Sequence, residues 1–295
     1  MADIRAGRLS ALWQRLAADL HDALQHGAAR DPGPSPAGEA WLTHAGLAAL
    51  VLGSGLALLA GYHAGFMPLN TAAAMLPSTL WQALTMLGDE RVAFALSLFF
   101  ARRHPRVFWT LVCSALVAIL YSRGLKPLVD AARPPAVLPA GSFMLIGPGH
   151  RGEGFPSGHS VTAGVFFGVL IAYARRLPWR LVFLFIAVLA GLSRIAVGVH
   201  WPVDVAFGLG GGFLAAWVGV RIASRMPWGV YDGSVHLALV TLAAIVTVGL
   251  WVDDGGYAAI APGLKLLTAA ALTTVVLGYV VLPLRRCMRA GVSAP

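Results

Sequence analysis

The sequence predicts an all-α membrane protein, a polytopic helical bundle with about eight transmembrane helices. Hydrophobic residues make up 58% of the 295 residues and charged residues only 12%, whereas a soluble domain carries roughly 25% charged residues. Eight apolar runs approach the roughly 20 residues that cross a bilayer. Their approximate limits are 42–61, 81–101, 107–123, 159–174, 181–199, 203–222, 234–252 and 263–284.

The first 40 residues form a segment of their own before the membrane runs. Apolar side chains recur there at helical spacing, at Leu9, Leu12, Trp13, Leu16, Leu20 and Leu24, with Arg5, Arg8 and Arg15 among them. This pattern is typical of an amphipathic helix on a membrane surface, and a partly ordered tail is the alternative. Because the segment lacks a long apolar core, we expect no cleavable signal peptide. A linker rich in Pro and Gly, 31–38, follows it.

The remaining chain divides into three parts. We expect 41–79 to hold the first transmembrane helix and an outer loop, and 80–225 to form a six-helix core. Two additional transmembrane helices and a basic cytoplasmic tail occupy 226–295.

The distribution of basic residues predicts the orientation. With the N terminus inside, the cytoplasmic segments hold most of the 22 Lys and Arg residues, as the positive-inside rule requires. This topology accounts for the net charge of +9, so no nucleic-acid partner is needed. Five basic residues nevertheless cluster at outward-facing connections, namely Arg123, Lys126, Arg133, Arg151 and Arg194. An anion bound on the outer side would explain them.

The segment 193–204 joins two apolar runs and carries three chemically useful side chains. His200 and Asp204 are four residues apart. If Pro202 opens the next helix, they lie about one turn apart on one side. The carboxylate can then bond one ring nitrogen and leave the other more nucleophilic. Arg194 offers a planar fork of donors suited to phosphate. An interfacial loop with snorkelling Arg and His is the alternative.

A second outward cluster contains Lys126 and Arg133. If Pro127 starts a short helix, the two cations lie two turns apart on one face and can clamp one phosphate. A basic loop attracted to lipid headgroups is the alternative.

The third cluster, Ser157-Gly158-His159, directly precedes the fourth apolar run. Free amides at a helix start bind anions, Gly158 permits close backbone approach, and Ser157 adds a hydroxyl donor. His159 is then placed to protonate a departing oxygen. An ordinary N-cap is the alternative role for Ser157.

In order, the three segments read K-x6-R-P at 126–134, P-S-G-H at 156–159 and S-R-x5-H-x3-D at 193–204. This three-part pattern resembles the type 2 phosphatidic acid phosphatase superfamily, which includes bacterial nonspecific acid phosphatases and vanadium haloperoxidases. The resemblance covers about 80–225. It implies two-step phosphoryl transfer in which His200 attacks phosphorus, Asp204 holds its imidazole and His159 protonates the leaving oxygen. The implied phosphate-binding residues are Lys126, Arg133, Ser157, Gly158 and Arg194.

These inferences predict a phosphatase for lipid phosphates or diphosphates in the inner membrane of a bacterium, with both termini cytoplasmic and the site facing the periplasm. Candidate substrates are undecaprenyl diphosphate, phosphatidylglycerol phosphate, phosphatidic acid and lipid A phosphates. We expect no metal and no cofactor, because the cations and the helix start supply the charge stabilisation. The alternatives are a phosphotransferase that passes the phosphoryl group to a second lipid, for example lipid A, and a non-enzymatic lipid-phosphate transporter or binding protein. A lipid-embedded core disfavours a haloperoxidase.

Three charged residues, Asp89, Glu90 and Arg91, fall within the second apolar run. Charges inside a membrane usually face a bundle interior or a cavity. They therefore either line an access path for substrate or form an internal salt bridge, and the sequence leaves both interpretations open.

Overall fold

The computed structural model describes residues 2–292, with side chains from 10 to 289, and these residues are helical with no β-strand. The helices are α1 (Ala2–Arg30), α2 (Pro36–Ala60), α3 (Phe66–Ala73), α4 (Ser78–Met86), α5 (Glu90–Leu98), α6 (Pro105–Val129), α7 (Pro134–Val137), α8 (Gly158–Tyr173), α9 (Leu177–Ala196), α10 (Pro202–Arg225), α11 (Trp228–Tyr231), α12 (Gly233–Val252), α13 (Ala261–Val276) and α14 (Leu282–Val292). A 3₁₀ turn, Ala258–Ile260, precedes α13, and a π-helical segment, Leu277–Val281, joins α13 to α14. The all-α prediction is confirmed.

The predicted N-terminal helix is present as α1. Leu20 and Leu24 are buried, whereas Trp13 is 70% exposed. The apolar face therefore packs against the bundle in its second half. The side chains of Arg5, Arg8 and Leu9, which belong to the predicted amphipathic pattern, lie outside the described residues.

The predicted number of eight spans is not confirmed. Within the described residues, six helical stretches are long and apolar enough to cross a membrane: Pro36–Ala60, Pro105–Val137, Leu177–Ala196, Pro202–Arg225, Gly233–Val252 and Ala258–Arg289. The fourth predicted span is α8, an apolar helix of 16 residues. At 1.5 Å per residue it is about 24 Å long, somewhat short of a full crossing.

The second predicted span, 81–101, is interrupted and forms α4 and α5, each of nine residues. The break has two causes, one local and one from packing against α8. Asp89 is the N-cap of α5, and its carboxylate accepts the backbone N–H of Arg91 at 2.8 Å. Gly88 lies so close to α8 that a Cβ on it would come within 2.5 Å of the His159 carbonyl oxygen. A helix of nine residues is only about 13 Å long, so neither piece crosses a bilayer alone.

Helix α10 lies at the centre of the bundle, in contact with α2, α6, α8 and α9. Its contact with α8 is backbone to backbone, because a Cβ on Gly212 would lie 2.9 Å from the Gly164 Cα. Small residues allow such close approach between membrane helices. The same packing sets the starts of α8 and α10 side by side, where the Ser157 amide donates to the Asp204 carbonyl at 3.1 Å.

Candidate active site

The turn between α9 and α10 holds the predicted His200–Asp204 pair. Pro202 occupies the first turn of α10, as predicted. Gly198 has φ +85° and a Cβ there would meet the Met144 carbonyl at 2.4 Å, so glycine is required for the turn. The turn places His200 Nδ1 3.3 Å from Asp204 Oδ2, and both side chains are buried.

The Asp204 carboxylate has further partners that fix its position. Its Oδ2 also accepts the Trp201 amide at 3.0 Å, which closes the start of α10. The carboxylate accepts hydrogen bonds only, so Nδ1 of His200 carries the proton and Nε2 keeps its lone pair. That tautomer presents Nε2 as a nucleophile.

Arg133 faces the other side of the His200 ring. Its Nη1 lies 3.2 Å from His200 Nε2. The loop before α8 holds the guanidinium there, since Nε donates to the Gly152 carbonyl at 2.8 Å and Nη2 to the Glu153 carbonyl at 3.3 Å. An oxyanion bound at Nε2 would therefore meet the Arg133 fork.

Arg194 is a buried cation with an unused edge. It lies in the last turn of α9 and is 3% exposed. Its Nη1 donates to Thr85 Oγ1 at 2.6 Å and to the Tyr257 hydroxyl at 3.1 Å. Its Nε has no partner among the described residues. A buried donor without a partner destabilises the folded protein, so the free Nε indicates a place where a ligand could supply the acceptor.

Both arginines act electrostatically on the His200 ring. The pKa of His200 is held well below its usual value, mainly by burial and then by the positive charges of Arg133 and Arg194. His159 also contributes to this lowering. His200 is therefore neutral at neutral pH, the form that can attack an electrophile.

The start of α8 supplies free donors beside this pair. Ser157 is the N-cap: its Oγ accepts the Ser160 hydroxyl at 2.9 Å and the Ser160 amide at 3.4 Å. The structure thus shows the ordinary capping role for Ser157. Across the described chain, no acceptor is found for the Gly158 and His159 amides, and a Cβ on Gly158 would meet nothing within 4 Å. Open space next to free amides at a helix start suits an anion.

Lys126 departs from the prediction. Helix α6 continues through Pro127 to Val129 and ends at Asp130, whose φ of 38° is left-handed. Pro127 therefore does not start a short helix; it lies inside the last turn of α6, where it lacks a backbone donor. Lys126 and Arg133 do not share a helical face, since Arg133 is in extended backbone just before α7.

The Lys126 side chain lies at the rim of the site. Its Nζ is 3.5 Å from Glu153 Oε2. Glu153 in turn accepts Arg133 through its carbonyl, so the two predicted cations share one loop residue. The structure thus brings Asp204 and Arg133 each into contact with His200. It ties Ser157 to Asp204 and places Lys126 at the exposed edge.

Three residues that the sequence analysis did not identify hold the site together. The Tyr62 hydroxyl donates to Asp204 Oδ1, and Thr85 and Tyr257 bind Arg194 as described above. Each lies in or next to a connection outside the three-part pattern. A lone tyrosine or threonine in such a place carries no periodicity or spacing that predicts its partner.

Of the two interpretations left open for the charges near α5, the internal salt bridge is the one seen. Arg91 contacts Asp89 and Asp253, each at 2.9 Å. Asp253 begins the loop that carries Tyr257. This ion-pair network therefore ties the α12–α13 loop to α5, close to the residue that holds Arg194.

Comparison with known proteins finds similar sequences over the segment that holds the site. Residues 106–228 match the sequence profile of the PAP2 superfamily. A lipid A 1-phosphatase of Rhizobium johnstonii is 39% identical over 120 residues, which are 40% of this chain and 45% of the relative. An undecaprenyl-diphosphatase of Sulfolobus acidocaldarius is 32% identical over 136 residues, 45% of this chain and 63% of the relative. The chain thus spans less than two thirds of the length of these curated relatives.

Among solved structures, the crystal structure of Aquifex aeolicus LpxE is similar, with 25% sequence identity and a TM-score of 0.48 over 53% of this chain and 92% of that one. The eight predicted site residues, from Lys126 to Asp204, all fall inside the matched segment. The resemblance inferred from the three motifs is confirmed, since residues 106–228 of this multi-pass membrane chain match the PAP2 superfamily.

Proposed function

We propose that the protein is an integral-membrane phosphatase that hydrolyses a lipid phosphomonoester or diphosphate through a phosphohistidine at His200. The observation that carries this proposal is the buried His200 ring, with Nδ1 on a carboxylate and Nε2 facing a guanidinium. Binding a phosphate requires only the cations. A carboxylate that fixes the ring tautomer is useful when the ring acts as a nucleophile.

In the first step, His200 Nε2 attacks phosphorus and the bond between phosphorus and the leaving oxygen breaks. His159 gives its proton to that oxygen, and the negative charge of the bound phosphate favours the protonated form of His159 beforehand. Asp204 stabilises the positive charge that develops on the His200 ring. Arg133, Arg194 and the α8 amides stabilise the oxygens of the transferring group.

In the second step, water attacks phosphorus and His159 takes a proton from it. The bond between phosphorus and Nε2 then breaks, which releases inorganic phosphate and restores neutral His200. Phosphoryl transfer depends chiefly on positioning and charge stabilisation. The buried, tethered guanidinium groups provide both.

The substrate that this arrangement favours is a lipid whose phosphate reaches the end of the helical bundle while its tail stays in the bilayer. The two named relatives act on lipid A 1-phosphate and undecaprenyl diphosphate by their names, and both fit this description. With the orientation that the arginine distribution predicts, the site faces the periplasm and both termini are cytoplasmic.

The decisive experiment measures phosphate release by the purified protein from a panel of lipid phosphates. The panel comprises undecaprenyl diphosphate, phosphatidylglycerol phosphate, phosphatidic acid and lipid A, each labelled in the phosphate and with His200→Ala as the control. We expect inorganic phosphate from at least one member and none from the variant. Label transferred to a second lipid instead of water would identify a phosphotransferase, and no reaction with any member would contradict the proposal.

Tyr62→Phe is expected to lower kcat by between about tenfold and about 150-fold with little change in KM, because a hydrogen bond to a charged group is worth about 1.5–3 kcal/mol. The pKa of Tyr62 is raised above its usual value, first by burial and then by the Asp204 charge, so the hydroxyl remains a donor. Tyr121→Phe is the matched control, since its buried hydroxyl donates only to the Phe207 carbonyl. If both variants lost kcat equally, the Tyr62 hydroxyl would have no specific role in positioning Asp204.

The pH dependence should reflect the lowered pKa of His200. Because the neutral ring is the nucleophile, its reactive form persists as pH falls through 6.5 and is lost only well below that value. The acidic limb of kcat/KM, which reports the free enzyme, is therefore expected below pH 6.5. Arg133→Gln removes one of the charges responsible and should move the limb upward. A limb at or above 6.5 in the native protein would contradict this assignment.

Activity is expected to survive a millimolar chelator with a change in kcat of no more than about twofold, since the guanidinium groups and helix amides supply the charge stabilisation that a metal would otherwise provide. The measurement is phosphate release before and after chelation and gel filtration. Loss of activity that added Mg²⁺ or Zn²⁺ restores would show that this expectation is wrong.

A further inference from the structure

A basic cleft lies at the end of the bundle opposite the candidate active site. Its volume is about 620 Å³, and it is enclosed by the second half of α1, the turn between α5 and α6, and the π-helical segment with the start of α14. Helix α6 separates the cleft from the active site. Its first residue, Pro105, lies next to the cleft, and its last turn carries Lys126 at the active site. A helix of 25 residues is about 37 Å long.

The charge in this cleft is unbalanced. Four arginines and no carboxylate line it: Arg30, Arg102, Arg103 and Arg286. Asp19, just outside, pairs with Arg102 at 2.5 Å and Arg286 at 3.0 Å. Within residues 10–289, neither Arg30 nor Arg103 has an ion-pair or side-chain hydrogen-bond partner. One carboxylate thus lies near four guanidinium groups. Within the described part of the chain, the guanidinium groups of Arg30 and Arg103 keep all their N–H donors free for an anion.

The walls beside these arginines are apolar and partly exposed. Leu98 is buried at the base, while Phe99, Leu277 and Leu282 are between 39% and 45% exposed. A soluble anion would gain nothing from these side chains. A ligand that joins a phosphate to an acyl chain would use both parts of the cleft.

The cleft is held in shape by close packing. Gly27 of α1 lies against the start of α6, where a Cβ would come within 2.9 Å of the Arg103 carbonyl and 2.8 Å of Pro105. The Arg102 guanidinium lies 5.3 Å above the Tyr279 ring, and the Tyr279 hydroxyl is 2.7 Å from His236 Nε2. Tyr279 belongs to the π-helical segment, a type of distortion that frequently marks functional sites.

We propose that this cleft binds the headgroup of an anionic phospholipid from the leaflet opposite the active site. Arg30 and Arg103 hold the phosphate, and an acyl chain lies along Phe99 and Leu277. Basic pockets between helices near a membrane surface are suited to such headgroups. Because α1 and the α13–α14 region both line the cleft, the bound lipid would join these terminal parts of the chain.

Native mass spectrometry of the full-length protein in detergent tests this proposal, with phosphatidylglycerol and zwitterionic phosphatidylcholine as probes. We expect the native protein to prefer phosphatidylglycerol, and the double variant Arg30→Gln/Arg103→Gln to bind it about 30-fold more weakly, since each arginine near the headgroup contributes about fivefold. The matched control is Arg176→Gln/Arg225→Gln, which removes two exposed arginines at the same end of the bundle but outside the cleft. The control should keep the native affinity.

Three outcomes would overturn the proposal. One is equal phosphatidylglycerol affinity in the native protein and the Arg30/Arg103 variant, once size-exclusion profiles show that both are folded. Another is an equal loss in the Arg176/Arg225 control, which would reveal only a general charge effect. The third is complete displacement of the lipid by millimolar inorganic phosphate, which would identify a free anion as the ligand. None of these readouts depends on phosphatase activity.

Discussion

Replacing His200 with alanine is expected to reduce kcat for phosphate release by at least about 10⁴-fold, since removal of a catalytic nucleophile typically has effects of this size or larger. Among the described residues, no other histidine has one ring nitrogen bonded to a carboxylate while the other faces a guanidinium, as His200 has. Vanadate or phosphate should still bind within a few-fold of the native affinity, because Arg133, Arg194 and the start of α8 remain.

A second readout links this loss to the proposed intermediate. Quenching the native protein in alkaline denaturant during turnover of a phosphate-labelled lipid should trap label that is stable in base and lost in acid, and the His200→Ala variant should show none. His150→Ala is the matched control, because His150 is an exposed histidine of the loop before α8 that lies outside the three motifs. Turnover within tenfold of native in the His200 variant, or label that persists in it, would show that another group attacks phosphorus.

The parts of the site that the sequence predicted are those with local determinants. Pro202 starts α10 two residues after His200, so that Asp204 in the first turn of the helix faces back to the His200 ring. Ser157 and Gly158 likewise form a helix start whose free amides follow from the chain direction. Arg194 was identified because a basic residue on the predicted outer side ran against the positive-inside rule.

The parts that could not be predicted depend on contacts between distant segments. The apolar content of 81–101 suggested one span, but contact with His159 at Gly88 and the Asp89 cap divide it into two short helices. Pro127 suggested a helix start, yet α6 already had enough preceding turns to continue past it. Tyr62 reaches Asp204 across 142 positions, and no pattern in a single sequence encodes such a pair.

The helices outside the family match contribute to the site through Arg194. Thr85 from α4 and Tyr257 from the α12–α13 loop both accept from its Nη1. Arg91 ties that loop to α5 through Asp253. These contacts turn the guanidinium so that its Nη1 side faces protein acceptors and its Nε edge remains unpaired. The loop between the last two membrane helices therefore helps to orient Arg194, the residue that we propose binds phosphate.

Arg194→Lys is consequently expected to be almost as damaging as complete removal of the side chain, with a loss in kcat/KM of about 10³-fold. Lysine keeps the charge, but its single ammonium cannot bind Thr85 and Tyr257 while also presenting two parallel donors to a phosphate. The measurement is kcat/KM for the best lipid substrate, together with the affinity for vanadate. Both should fall, because the same edge binds the ground state and the transition state.

Arg180→Lys is the control, since Arg180 lies on the same helix, is also buried, and donates to the Ala174 carbonyl and to Ser35 at the end of α9 remote from His200. It should lower the melting temperature as Arg194→Lys does, but leave kcat/KM within a few-fold of native. If Arg194→Lys retained most of its activity, a point charge would suffice at this position. The unpaired Nε edge would then have no catalytic use, and the tethering of Arg194 by Thr85 and Tyr257 would be purely structural.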